Sequence, residues 1–139
     1  MTGPPSNFAS LLRARRGYLG TIGVDGGPQI LPVCFTWAGD TIWTAIDGKP
    51  KKSNDLQRLK NIESNQQVSF TVDRWDEDWS RLAWLQARGT AHIMKSGADA
   101  QKATEALISK YAQYADVPLS GPVIRIDIDK WVGWSADPK

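Results

Sequence analysis

Two segments of this chain alternate strictly between apolar and polar residues, and that period of two dictates a half-buried sheet. Val68, Phe70 and Val72 interleave with Ser69, Thr71 and Asp73, while Ile124, Ile126 and Ile128 interleave with Arg125, Asp127 and Asp129. A strand sends successive side chains to opposite faces, so each segment reads as a strand with one wet face. Weaker strand patterns cover Tyr18 to Val24, Gln29 to Trp37, Thr41 to Ile46 and Leu82 to His92. Asp25-Gly26-Gly27 and Gly39-Asp40 separate three of them as turns, because glycine reaches the positive φ that tight hairpins need. Over Gln29 to Trp37 both faces carry apolar groups, which predicts a strand covered on both sides. Pro32 within it points to a sheet edge or a bulge.

Three segments break this rhythm. Phe8, Leu11 and Leu12 fall at helical spacing behind Ser6 or Asn7 as cap, a short lid-like element ending near Gly17. Behind Ser53, Asn54 to Ser64 carries Leu56, Leu59 and Ile62 as an inward stripe, with Arg58 off that stripe. Gly97 to Tyr111 places Ala103, Ala106, Leu107 and Tyr111 on one side and Lys102, Glu105 and Lys110 on the other. Several short strands with two or three inserted helices, and no interdomain linker, predict one small antiparallel barrel over residues 1–139.

The remaining features exclude several functions. Cys34 and His92 are the sole residues of their kinds, so neither an internal disulfide nor a conventional zinc site can form. Cys34, flanked by Val33 and Phe35, reads as a buried, inert thiol. No apolar run approaches the roughly 20 residues of a membrane span, and the N-terminus lacks the basic and apolar regions of a signal peptide. A cytoplasmic protein without a membrane span is expected. A formal net charge of +2 supplies no field that would hold nucleic acid. Asp76, Glu77 and Asp78 lie between Arg74 and Arg81 and read as an exposed, ion-paired loop. With no nucleophilic triad in view, an enzyme of this sequence needs a bound cofactor for its chemistry.

Charge is concentrated in one place. Lys49, Lys51, Lys52, Arg58 and Lys60 stand against Asp55 alone, a local charge of +4. The run leads into a helix start, where unpaired backbone N–H groups favour anions, so it reads either as a phosphate cradle or as a solvated basic loop. Seven tryptophans are the other outlier. Four of them, Trp75, Trp79, Trp131 and Trp134, lie in polar or terminal segments, where a second chain often covers such residues.

From Gly17 to His92 the chain carries Gly26-Gly27-Pro28-Gln29, Thr44-Ala45-Ile46, Leu59-Lys60-Asn61-Ile62 through Asn65, Val68 to Asp73 and Arg88-Gly89-Thr90-Ala91, and it closes on Trp131 to Ser135. In order and spacing this resembles the pyridoxamine 5'-phosphate oxidase-like split β-barrels. Within them it resembles the B branch of the flavin/deazaflavin oxidoreductases, common in actinobacteria and often dependent on coenzyme F-420. The resemblance implies a mainly β, FMN-binding-like split barrel with inserted helices, working as a homodimer with its cofactor between subunits. It implies a reductase that moves a hydride between F-420, or alternatively FMN, and an electron-poor small-molecule acceptor. A non-catalytic cofactor- or haem-binding protein on the same scaffold is the other reading.

Carried over by position, Arg58 and Lys60 fall where the family binds phosphate, with Lys49, Lys51 and Lys52 in an added loop before them. Pro32 and Thr44 fall on strands that approach the cofactor ring and chain. Trp79 falls on a loop that meets the partner, and Trp134 at a pocket wall. Three departures are visible: Gln57 stands where arginine would precede Arg58, Asn65-Gln66 replaces Asn-Pro, and the ending Ser135 to Lys139 lacks the arginine-bearing substrate motif of the vitamin-forming oxidases. Oxidation of pyridoxamine phosphate is therefore not expected.

Overall fold

The computed structural model describes residues 3–46, 53–119 and 121–137. Seven strands form one fully antiparallel sheet: β1 (Gly17–Ile22), β2 (Pro28–Val33), β3 (Thr36–Ala38), β4 (Thr41–Ala45), β5 (Gln67–Arg74), β6 (Ala83–Met94) and β7 (Val123–Ser135). They lie side by side in the order β2-β1-β5-β6-β7-β4-β3. Helix α1 (Ser53–Ser64) joins β4 to β5, and α2 (Ala98–Lys110) lies between β6 and β7.

This order forces curvature. β2 and β3 are the opposite edges of the sheet, yet only Cys34 and Phe35 connect them. Laid flat, six interstrand gaps would separate the edges by about 29 Å. Three Cα steps, from Val33 to Thr36, reach about 11 Å at most. The sheet must therefore curl until its edges meet, which produces a barrel with a seam at Cys34-Phe35.

The core fills the curl. Leu19, Val33, Phe35, Ile42, Phe70, Val72, Leu85 and Ile126 are among its buried residues, and the Phe35 and Phe70 rings meet edge to face at 4.8 Å. The N-terminal element is a 3-10 helix at Ala9–Arg13 that adds Leu11 and Leu12 to this core, so it plugs the barrel where a lid was expected. Phe8 lies so close to Gly133 that a Cβ there would come within 2.7 Å of its ring. A bulge between Arg88 and Gly89 bends β6 tightly against β7, where a Cβ on Gly89 would come within 2.1 Å of the Asp127 carbonyl oxygen. The turn after β1 forms as read, with Gly26 at φ 89° and the Asp25 side chain accepting from Gly27 N–H at 2.9 Å.

Three expectations are corrected. The Gln29 to Trp37 strand is two strands, because the seam interrupts it. Its outward face is bare: Ile30 is 69% exposed, since β2 is an edge with no layer over it. Cys34 is exposed rather than buried, because the seam turns its side chain outward while Phe35 takes the core position. The edge placement of Pro32 and the ion-paired acidic loop hold, the latter through Arg81 Nε donating to Asp76 Oδ2 at 2.8 Å.

Candidate functional site

At the seam the chain leaves a small cleft of about 150 Å³. Pro32, Val33 and Cys34 come from β2 and the link, Thr44 and Ala45 from β4, Arg58 from α1 and Tyr114 from the turn after α2. Closure of the barrel thus brings together three residues singled out by the sequence: Pro32, Thr44 and Arg58. Lys60 is exposed and is not part of the lining; two residues along a helix turn a side chain about 200° from Arg58. Lys49, Lys51 and Lys52 lie outside the described residues.

Trp79 and Trp134 lie elsewhere. Trp79 begins the short 3-10 turn Trp79–Arg81 and is 67% exposed. Trp134 faces Trp84 across the β6–β7 ladder, the two indoles 45% and 38% exposed.

Hydrogen bonds fasten the Cys34-Phe35 link that borders the cleft. The Thr44 hydroxyl donates to the Cys34 carbonyl at 2.6 Å, tying β4 to the link. From the end of α2, the Tyr111 hydroxyl accepts from Phe35 N–H at 3.1 Å and donates to the Arg15 carbonyl at 3.0 Å. Burial pushes this phenol upward, which keeps its proton on. The Lys110 ammonium donates to the Phe35 carbonyl at 2.9 Å and stands 3.7 Å over the Phe35 ring. Burial first, and then the Arg15 charge, pull its pKa down to about 8.

Helix α1, which carries Arg58, is fastened by a fully buried amide. Asn61 Nδ2 donates to Thr21 Oγ1 at 3.0 Å and to Gln29 Oε1 at 2.8 Å, and its Oδ1 accepts from Gln57 Nε2 at 2.8 Å. Gln57, the departure from the family's arginine, is thereby a structural partner of Asn61. Sequence reasoning missed the roles of Asn61, Tyr111 and Tyr114; Asn61 did stand inside a quoted motif, and Tyr111 closed a helical stripe.

A curled seven-stranded antiparallel sheet, with two helices and a cleft at its split, defines a split β-barrel of the FMN-binding type. The chain belongs to the pyridoxamine 5'-phosphate oxidase family, whose model matches residues 7–135. No curated protein matches it by sequence. Among solved structures, it is similar to a conserved hypothetical protein of Mycobacterium tuberculosis (19% identity, 94% of this chain and 84% of that one, TM-score 0.75). It is also similar to a FAD-binding protein of Mesorhizobium loti (17% identity, 92% and 89%, TM-score 0.67). The haem-storage protein HutZ of Vibrio cholerae shares the fold as well (13% identity, 96% and 94%, TM-score 0.72). At these identities the likeness concerns the fold alone.

The cleft suits part of a flavin-type cofactor. Among the described residues Arg58 is its one cationic lining side chain and the group that suits a phosphate, since the Thr44 hydroxyl already gives its proton to the Cys34 carbonyl. Sites for whole small molecules run to about 300–1,000 Å³. A cleft of about 150 Å³ has room for a group the size of a phosphate and not for a three-ring system. Among the described residues no group of three His, Cys, Asp or Glu could hold a metal, and no helix is long and apolar enough to cross a membrane.

Proposed function

We propose that this protein is a cytoplasmic, homodimeric reductase that binds coenzyme F-420, with FMN as the alternative, and reduces an electron-poor small-molecule acceptor. The observation that carries the reading is the meeting of Pro32, Thr44 and Arg58 at the barrel seam. When bound, such a cofactor supplies the hydride chemistry. The chain's own residues bind and orient: Arg58 neutralises the phosphate, the Thr44–Cys34 bond fixes the wall, and Pro32 offers an apolar edge. No side chain of this chain is assigned the role of proton donor.

The second copy belongs on the outer face of β2, β1, β5, β6 and β7. Antiparallel register aligns Ile30, Gly20, Ser69 and Arg88 in one row of that face. The small residues in the middle leave a hollow of about 510 Å³ beside the protruding Ile30. Tyr18, Trp84 and Trp134 extend the face with exposed rings. Ridge and hollow on one surface are what a two-fold, self-complementary contact needs. Pro32 lies on the same edge strand as Ile30, so a copy seated there would stand beside the seam cleft and complete a groove for the rings.

Titration with F-420, FMN and haemin, followed by absorbance and tryptophan quenching, tests the reading. Saturable binding of F-420 or FMN is expected, and Arg58→Glu is expected to abolish it in a protein with an unchanged circular dichroism spectrum. Unchanged affinity in that variant would remove the phosphate assignment. Haem binding in place of both would establish the non-catalytic alternative. His92, the one histidine, is engaged by Asp127 at 3.2 Å and does not line the seam cleft.

A further inference from the structure

A second cleft lies on the other side of β4. Trp43 and Thr44 are neighbours on a strand, so they project to opposite faces. Thr44 serves the seam, whereas Trp43 packs outward against Ala100 and Ala103 of α2. Beside that contact the structure leaves about 420 Å³, the size of a small-molecule site. Thr36, Thr41 and Trp43 form one wall, and Asp99, Lys102 and Ala106 of α2 form the other.

Arg125 also lines this space and is held in place. Register sets it directly opposite Trp43 on β4 and His92 on β6. Its Nε donates to Asp127 Oδ1 at 2.8 Å, and Asp127 Oδ2 meets His92 Nε2 at 3.2 Å. With Nε committed, the planar guanidinium is oriented by its own strand neighbour. Lys102 approaches from the helix, and Asp99 stands one helical turn before it on the same face. Asp127 offsets Arg125 and Asp99 offsets Lys102, so the site is close to neutral and offers no excess charge to a multiply charged phosphate, while the guanidinium keeps Nη donors that suit one carboxylate. Trp43 is 8% exposed, so an edge of its indole, with Ala103 and Ala106 beside it, gives the space an apolar side that suits a flat ring.

We propose that the cleft between α2 and the β3–β4 hairpin binds a small aromatic carboxylate, with Arg125 and Lys102 on the carboxylate and Trp43 against the ring. This site is separate from the seam and does not depend on the cofactor reading. Benzoate is the probe, followed through the indole N–H resonances of the uniformly ¹⁵N-labelled protein, with Trp43→Phe identifying the Trp43 signal. Benzoate should shift that signal saturably, and inorganic phosphate should not. Arg125→Gln should weaken binding tenfold to hundredfold, the effect of about one charge-assisted hydrogen bond. Ala106→Trp, at an exposed helical position on the cleft wall, should block binding while the remaining indole signals stay in place. No saturable shift, or equal affinity in Arg125→Gln or Ala106→Trp with the fold intact, would overturn the proposal.

Discussion

Tyr111→Phe isolates the contribution of a single hydroxyl to the seam. The ring would stay, still packed edge to face against Tyr114 at 5.8 Å and beneath the Arg15 guanidinium at 4.6 Å. The hydroxyl's hydrogen bonds would go: the one accepted from Phe35 N–H at 3.1 Å, and the proton shared between the Arg15 carbonyl at 3.0 Å and the Phe35 carbonyl at 3.3 Å. Each is worth about 1 kcal/mol net, and the fully buried Phe35 N–H would be left without its acceptor. Together these give a loss of about 2–3 kcal/mol. For a domain of this size that lowers Tm by about 8–12 °C. Differential scanning calorimetry measures the shift, and amide exchange at Phe35 localises it, because protection there should fall by more than elsewhere. A Tm within about 2 °C of the parent, with the Phe35 amide equally protected, would refute the argument that α2 holds the seam shut.

Three further outcomes follow from the same geometry. Gly89→Ala forces a Cβ against the Asp127 carbonyl at the β6–β7 bulge and should cost about 3 kcal/mol, read by urea denaturation. Asn61→Ala removes the buried amide between α1 and β1–β2; it should lower stability by about 2–4 kcal/mol and weaken cofactor binding through Arg58, and a change in neither would sink the anchoring role. The Lys110 amine should titrate near pH 8, followed by its Cε carbon shift, and a midpoint near 10.5 would contradict the burial argument. Its folded pKa lies below the unfolded one, so between about pH 8 and 10.5 the unfolded chain holds the extra proton and stability rises with pH. Because the side chain is only half-buried and its ammonium also contacts the Phe35 ring, that rise should be small.

The strands most legible in the sequence were those with one wet face. β5 and β7 declared themselves because Phe70 and Ile126 point into the curl while Thr71 and Asp127 point out. The break at Cys34-Phe35 was illegible for a tertiary reason: the apolar pattern runs through it without a turn residue, and only closure of the sheet demands it. β7 runs on to Ser135, beyond the alternating segment, since Gly133 makes room for Phe8, a contact between opposite ends of the chain. The family resemblance, rather than local pattern, named Pro32 and Thr44, whereas Arg58 also stood out in the basic run before Ser64. What steadies them was out of reach, because Tyr111 and Phe35 are 76 residues apart and Asn61 and Thr21 are 40 apart.

The seam explains why the cleft falls where it does. Within a ladder, backbone groups are paired and side chains interdigitate, which leaves little room for a ligand. Where β2 and β3 turn away from each other, the ladder stops, and the freed backbone must find other partners. The Cys34 carbonyl takes the Thr44 hydroxyl, and the two polar groups of Phe35 take Tyr111 and Lys110. Side chains from β4 and α2 thus replace a missing strand. The result is a gap in the sheet with fixed walls, open to the side on which β2 presents Pro32. Arg58 on α1 then adds a charge that a closed ladder could not have housed.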